Sequence, residues 1–367
     1  FDKEIKEVEK FNDSMYAVFA PSDRVISASL LPYYMDIEHV YSRAKLILSK
    51  LDEVKYNFTD KNSQFSDKFI SNIFCLSHKN YSHFCDTNFE NKNIIFKHNF
   101  KNENKELFLT ENQILIFTGD TELSNSIISS KKGSMIVQIG GKIKLKNLFI
   151  NGLKNIELKS TNWTGSFNII KSDIIIDNVV FENIEGEDAL NIISSKAKII
   201  NSLNFINVKS DALDSDFSNL NFDSINCELV GNDCLDTSGS NVEGKKVTGY
   251  SVGDKLLSFG ENSKINLDNS FCNICGIGLS IKDSSTANIK NLKFNSTPLE
   301  LTVFRKKKFF NPAKLKLNMA SKNFDQEKIL IGKNSIIEFR DKLLIGSIKD
   351  KTVRKYQYGN VYGKSSN

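Results

Sequence analysis

Between about residues 160 and 310 the chain repeats itself every 20 to 25 residues, and this period restricts the fold more than any other property of the sequence. Aligning "IIIDNVVFENIEGEDALNI" (174–192) with five later stretches puts Leu190, Leu213, Leu235, Leu257, Leu279 and Leu301 in one column. A second column holds Phe181, Phe205, Cys227, Val247, Cys272 and Phe294, and a third holds Ile176, Ile200, Phe222, Val242, Leu267 and Ile289. Two residues past the third column lie Asn178, Ser202, Ser224, Gly244, Asn269 and Asn291, small or amide-bearing side chains suited to a tight corner. A unit of about 22 residues with three short apolar runs cannot bury its faces alone and must stack on copies of itself. The spacing therefore predicts an all-β parallel β-helix, a single-stranded solenoid in which like residues form ladders about 4.8 Å apart. A leucine-rich repeat has a similar period, but its L-x-x-L-x-L core and helix-forming stretches are missing here.

The pattern divides the chain into three parts. Residues 1–90 read as a small mixed α/β or helical module, because "DIEHVYSRAKLILSKL" carries apolar residues at helical spacing. Residues 91–345 carry the β-helix, with fainter coils at "NQILIFTGD", "SMIVQIGG" and "KIKLKNLFINGL" and later at "AKLKLNMAS" and "KILIGKNSIIEF". Residues 346–367 form a polar, basic tail expected to lie loosely against the end of the helix. Trp163 sits where one coil is longer, and reads either as packing at a loop base or as a sugar-stacking platform. The chain starts at Phe1 with neither Met nor a signal-peptide pattern, as a fragment or processed form would.

Charge and cysteine content exclude some functions. The formal charge is +5, from 49 basic and 44 acidic residues, too small and too scattered for a nucleic-acid partner. No run of 18 apolar residues exists, so no membrane span is expected in this chain. All four histidines lie at or before residue 98, so chemistry in the repeat must proceed without histidine. Of six cysteines, Cys75 and Cys85 could pair or stay as free thiols. Cys227, Cys234, Cys272 and Cys275 lack the spacing of a zinc site, and the columns make Cys227 and Cys272 small buried hydrophobes.

The register turns the acidic runs "SDALDSDFSN" and "GNDCLDTSGS" into a ladder. Two residues before the leucine column come Asp188, Asp211, Asp233 and Lys255, with Asp254 beside the last. Strand alternation sends the positions one and three after leucine outward. Asp211, Asp214, Asp216, Asp233, Asp236, Lys255, Glu261, Lys282 and Asp283 are thus expected on one outer face about four coils long, roughly 15 to 20 Å. "FRKKK", with Arg305 and Lys307, follows on the next coil. Such a face suits proton transfer on an acidic sugar, with Lys255, Lys282, Asp236, Glu261, Asp283 and Arg305 as the reacting groups and Asp211, Asp214, Asp216, Asp233 and Lys307 as substrate contacts. Hydrolysis by two carboxylates is the alternative chemistry. Ca²⁺ held by Asp214, Asp216 and Asp236 would relieve the same repulsion. A purely structural ladder of Asx turns also fits, although Asn would serve a corner at lower cost than stacked Asp.

The coils "DALDSDFSN", "GNDCLDTSGS", "GDKLLSFGENS" and "GIGLSIKDSS", followed by "FRKKKFF", resemble the right-handed parallel β-helix of the pectin-lyase-like superfamily, closest to bacterial envelope-polysaccharide-associated members. The resemblance implies a bacterial surface or secreted protein of the cell envelope, periplasm or exterior that binds or modifies an anionic polysaccharide by lyase- or C5-epimerase-like chemistry. A non-catalytic scaffold or adhesin for glycan or protein is the alternative, with an envelope protein docking through the N-terminal module. The Asp-Pro-His-Asp, Arg-x-Pro-x-Arg and adjacent Asp-Asp motifs of named enzymes in that superfamily are missing, so the resemblance assigns no particular activity.

Overall fold

A computed structural model describes residues 63–64, 93–131, 133–156, 163–318, 326–339 and 342–357. The expected N-terminal helices, the Cys75–Cys85 pairing and the docking role of the first 90 residues lie outside the described residues, apart from a short strand at Ser63–Gln64. The described chain is a parallel β-solenoid of about ten turns, nearly free of helix. Among the described residues no helix is long and apolar enough to cross a membrane.

Each full turn contributes three runs of strand. In one turn, Asp173–Ile184 supplies two of them across a break at Asn178, and Asp188–Ile193 supplies the third. We call the faces built from 173–177, 179–182 and 188–193 and their ladder partners faces one, two and three. The leucine column is observed in full, Leu190 to Leu301 pairing in sequence along face three. Faces one and two bury every second residue. On face three, strands such as Met135–Ile139 and Asp188–Ile193 are buried on both sides, and their sequences run without alternation.

Two columns differ from the expected register. Phe222 pairs with Gly244, not Val242, and the Phe181 column passes through Gly249, not Val247. Ile176 likewise pairs with Ile199, while Ile200 lies opposite Asp177. A Cβ on Gly244 would stand 2.1 Å from Phe222 Cζ, so the ring occupies the volume a side chain would need. A glycine in a core column is invisible to a search for apolar residues, and the alignment slipped by two at both positions.

Corners are made by left-handed residues. The first corner uses Asn147, Asn178 and Asn201 with φ of 50°, 53° and 61°, and Asn147 Nδ2 donates to Asn125 Oδ1 at 2.9 Å. The second uses Asn183 and Asn207, joined at 2.6 Å, then Leu229, Ser251, Ile274 and Ser296. The third uses Ser194, Phe217, Gly239, Glu261 and Asp283. One or two residues past each third corner lies a buried serine whose backbone N–H donates to the hydroxyl of the serine in the next turn. Ser172 donates to Ser195, Ser195 to Ser218 and Ser218 to Ser240, each at 3.0 Å. Ser240 donates to Ser263 and Ser263 to Ser285, each at 3.1 Å.

The cysteine expectation is corrected. Cys227 and Cys234 form a disulfide, as do Cys272 and Cys275, with Cα atoms 5.9 and 6.2 Å apart. All four are buried as expected, but not as separate thiols. Cys227 on face two and Cys234 on face three both point into the core, so the second corner carries their side chains toward each other. Trp163 is buried, as packing at a loop base requires.

Asp350–Gln357 forms helix α1, which buries Val353 and Gln357. Arg305 holds its start, the backbone N–H donating to Asp350 Oδ1 at 3.2 Å and the guanidinium lying 3.4 Å from Oδ2.

Candidate acid–base face

The outer side of face three gathers the residues expected there. The ladder runs Asp188, Asp211 on one pair of turns, Asn191, Asp214, Asp236, Ser258, Ser280, Thr302 along its middle, and Ile193, Asp216, Ser238 beside the third corner. The expected open surface is not found. Asp233 and Lys255 are 3% exposed and Asp283 is fully buried, while Asp211, Asp214, Asp216 and Asp236 are half-buried. At the far end α1 lies over the column, where Gln357 Nε2 donates to Ser280 Oγ and, at 3.4 Å, to Thr302 Oγ1.

Three sub-sites follow from the contacts. In the first, Lys255 Nζ lies 3.2 Å from Asp233 Oδ1 and against Asp254 Oδ2, a buried triad of one cation and two carboxylates. Asp211 Oδ1 accepts from the backbone of Asp233 at 2.8 Å and from Asn232 Nδ2. In the second, Lys282 Nζ donates to Ser258 Oγ at 2.9 Å, and Ser258 is the ladder neighbour of Asp236. In the third, Lys307 Nζ lies 2.7 Å from Glu261 Oε1 while Ser238 donates to Oε2. Asp283 Oδ1 there accepts the backbone N–H groups of Lys306 and Lys307, both at 2.7 Å, and its Oδ2 is buried without a hydrogen bond. Arg305 points away from this group to Asp350.

Burial and crowding separate the acidities. Burial, reinforced by neighbouring carboxylates, pushes Asp211, Asp214 and Asp216 well above the usual carboxylate range. Burial lifts Asp188 to about 7 against hydrogen bonds from Thr164 and Asn191. Burial lifts Asp254 to about 6 against Lys255, and Asp283 to about 6 with help from Glu261. Asp236 is also raised by burial, with Lys282 opposing. Glu261 goes the other way. Burial favours its neutral form, but Lys307, Lys306 and Lys282 outweigh it and hold the carboxyl at about 2. One surface thus carries proton-holding carboxyls near neutral pH beside a carboxylate fixed in its ionised form.

Among the described residues no group of three or more His, Cys, Asp or Glu side chains converges to hold a metal ion. Asp214, Asp216 and Asp236 share the face without forming such a group. Sequence reasoning did not assign roles to Asn232, Ser238 and Ser258. Their signal was position: each stands in the acidic ladder where a neutral hydrogen-bonding residue faces a charge in an adjacent turn.

No protein-family model, curated protein or solved structure matches this chain.

Proposed function

We propose that this protein works on an anionic polysaccharide through proton transfer at the outer side of face three, with lyase- or C5-epimerase-like chemistry on a uronan. The observation that carries the reading is the split in acidity across one face, Asp188, Asp254 and Asp283 near 6 to 7 beside Glu261 near 2. A solenoid gains nothing in stability from buried carboxyls of raised pKa, and such groups concentrate where proton transfer is performed. Lys282, beside Ser258 and Asp236, takes the C5 proton after releasing its own proton to solvent. The electron pair left behind is stabilised through the uronate carboxyl. In the lyase case it expels the oxygen at C4, which leaves with the proton of Asp236; in the epimerase case Asp236 gives that proton to C5 on its opposite side. Lys255 is locked between Asp233 and Asp254 and serves to position the upper turns. The two disulfides support an oxidising compartment, in keeping with the envelope or exterior expected from the pectin-lyase-like resemblance.

Lys282→Met tests the reading. The expected result is loss of unsaturated-product absorbance and of deuterium uptake at C5 across a panel of uronans, with the fold retained. Unchanged turnover in the variant, or no turnover by the parent chain, refutes it. The withdrawal of Lys255 and Asp283 from solvent favours a second reading, a scaffold that holds its glycan or protein partner without reacting. It predicts uronan binding that survives Lys282→Met with no product formed.

A further inference from the structure

Face one, on a different side of the solenoid, carries an open groove of about 580 Å³ across five successive turns, about 19 Å of ladder. Two rows of outward side chains line it. The first reads Lys142, Asp173, Lys196, Asn219, Asn241, and the second reads Lys144, Ile175, Lys198, Asn221, Glu243. All ten are exposed. Two other lysines on this face are neutralised in ladder pairs, Lys245 with Asp223 at 2.7 Å and Lys290 with Asp268 at 2.6 Å. Lys142, Lys144, Lys196 and Lys198 are in no ion pair among the described residues; of the groove-lining side chains only Asp173 and Glu243 are acidic, so the lining is net positive, with Glu122, the ladder neighbour of Lys144, and Asp120, beside Lys142, at its edge.

We propose that this groove is a second binding site, which holds an extended acidic polysaccharide along the solenoid axis, remote from face three. The floor is apolar, from Ile175 and the lysine stems, and suits the carbon faces of sugar rings. The lysines are spaced to meet carboxylates on alternate turns, and the asparagine amides suit hydroxyl groups. Charge complementarity and the length of the groove favour a linear uronan over a compact anion. The proposal rests on the anionic-polysaccharide reading for the ligand class but not on any reaction.

The test is calorimetric titration of the full chain with a galacturonate octasaccharide and with a neutral glucan of the same length. Changing Lys142, Lys144, Lys196 and Lys198 together to Gln is expected to weaken octasaccharide binding roughly tenfold and to flatten its salt dependence, since exposed pairs contribute about twofold each. A control changing Lys245 and Lys290 to Gln is expected to bind as the parent does. Unchanged affinity in the fourfold variant, equal loss in the control, or equal binding of the neutral glucan overturns the proposal. Binding through the groove with no turnover refutes proton transfer at face three alone. Turnover with no effect of the fourfold variant on affinity refutes the groove alone.

Discussion

Replacing Asp283 by Asn separates the cost of the buried carboxyl from the geometry it supports. Asn tolerates the left-handed corner, where φ is 52°, and its Oδ1 can still accept the amides of Lys306 and Lys307. What disappears is an ionisable group whose folded pKa is raised from 3.8 to about 6 by burial first and Glu261 second. A raised carboxyl pKa means the folded chain holds a proton that the unfolded chain has released. The group's contribution is therefore neutral below about pH 4 and becomes increasingly destabilising up to about pH 6. Two units correspond to about 3 kcal/mol. Asp283→Asn should match the parent chain in denaturant midpoint near pH 4 and exceed it by up to about 3 kcal/mol at pH 8. Urea titrations of the full chain at pH 4, 6 and 8 measure this. Equal effects at all three values, or a loss of stability at pH 8, would refute the assignment of Asp283 as a neutralised buried acid. The parent chain should itself lose stability from pH 4 to pH 7, because Asp188 and Asp254 are displaced in the same direction. Glu261 opposes this trend only below about pH 4.5, where its depressed carboxyl still holds its charge and the unfolded one does not.

Other perturbations have equally direct readouts. Ser218→Ala leaves the buried N–H of Ser195 without its acceptor and should cost about 1 to 3 kcal/mol in denaturant titration, with a change below about 0.5 kcal/mol counting against the ladder. Gly244→Ala should cost about 1 to 3 kcal/mol through overlap with Phe222, and Phe222→Leu in the same chain should recover part of it. Removing the Cys227–Cys234 link by a double change to Ala should cost roughly 2 kcal/mol more under oxidising conditions than in excess reductant, where only the packing of two buried thiols is lost. A chelator scan checks calcium: a fall of several degrees in Tm would support Asp214, Asp216 and Asp236 as ligands, and an unmoved Tm would count against them.

The leucine column was legible because six successive turns, from Leu190 to Leu301, write it in the same way; where the ladder continues through Phe167, Ile136 and Ile329 the signal fades. The glycine positions were not legible. Gly244 and Gly249 serve by lacking a side chain, so their role is visible only once the ring of Phe222 or the methyl groups of Leu256 and Val252 are placed beside them. The acidic face was correctly assembled from spacing, but its burial was not. Alternation fixes which side of a strand a residue faces and says nothing of what lies over that side. The runs "MIVQI" and "FNII", apolar except for Gln138 and Asn168, were the clue that the earlier strands of face three are buried on both sides. The disulfides were missed for a similar reason: spacing of seven and of three residues suggests no bridge until the second corner folds the chain back on itself.

The serine ladder works as a measuring device. Its steps are 23, 23, 22, 23 and 22 residues, read from Ser172 through Ser195, Ser218, Ser240 and Ser263 to Ser285. A segment copied from one serine to the next would bring its own donor and acceptor in the right order, whichever turn it came from. Such a chain can lengthen or shorten by whole turns without redesign, while an insertion of two or three residues between a leucine and its serine would pull that serine out of line and interrupt the ladder at its own turn.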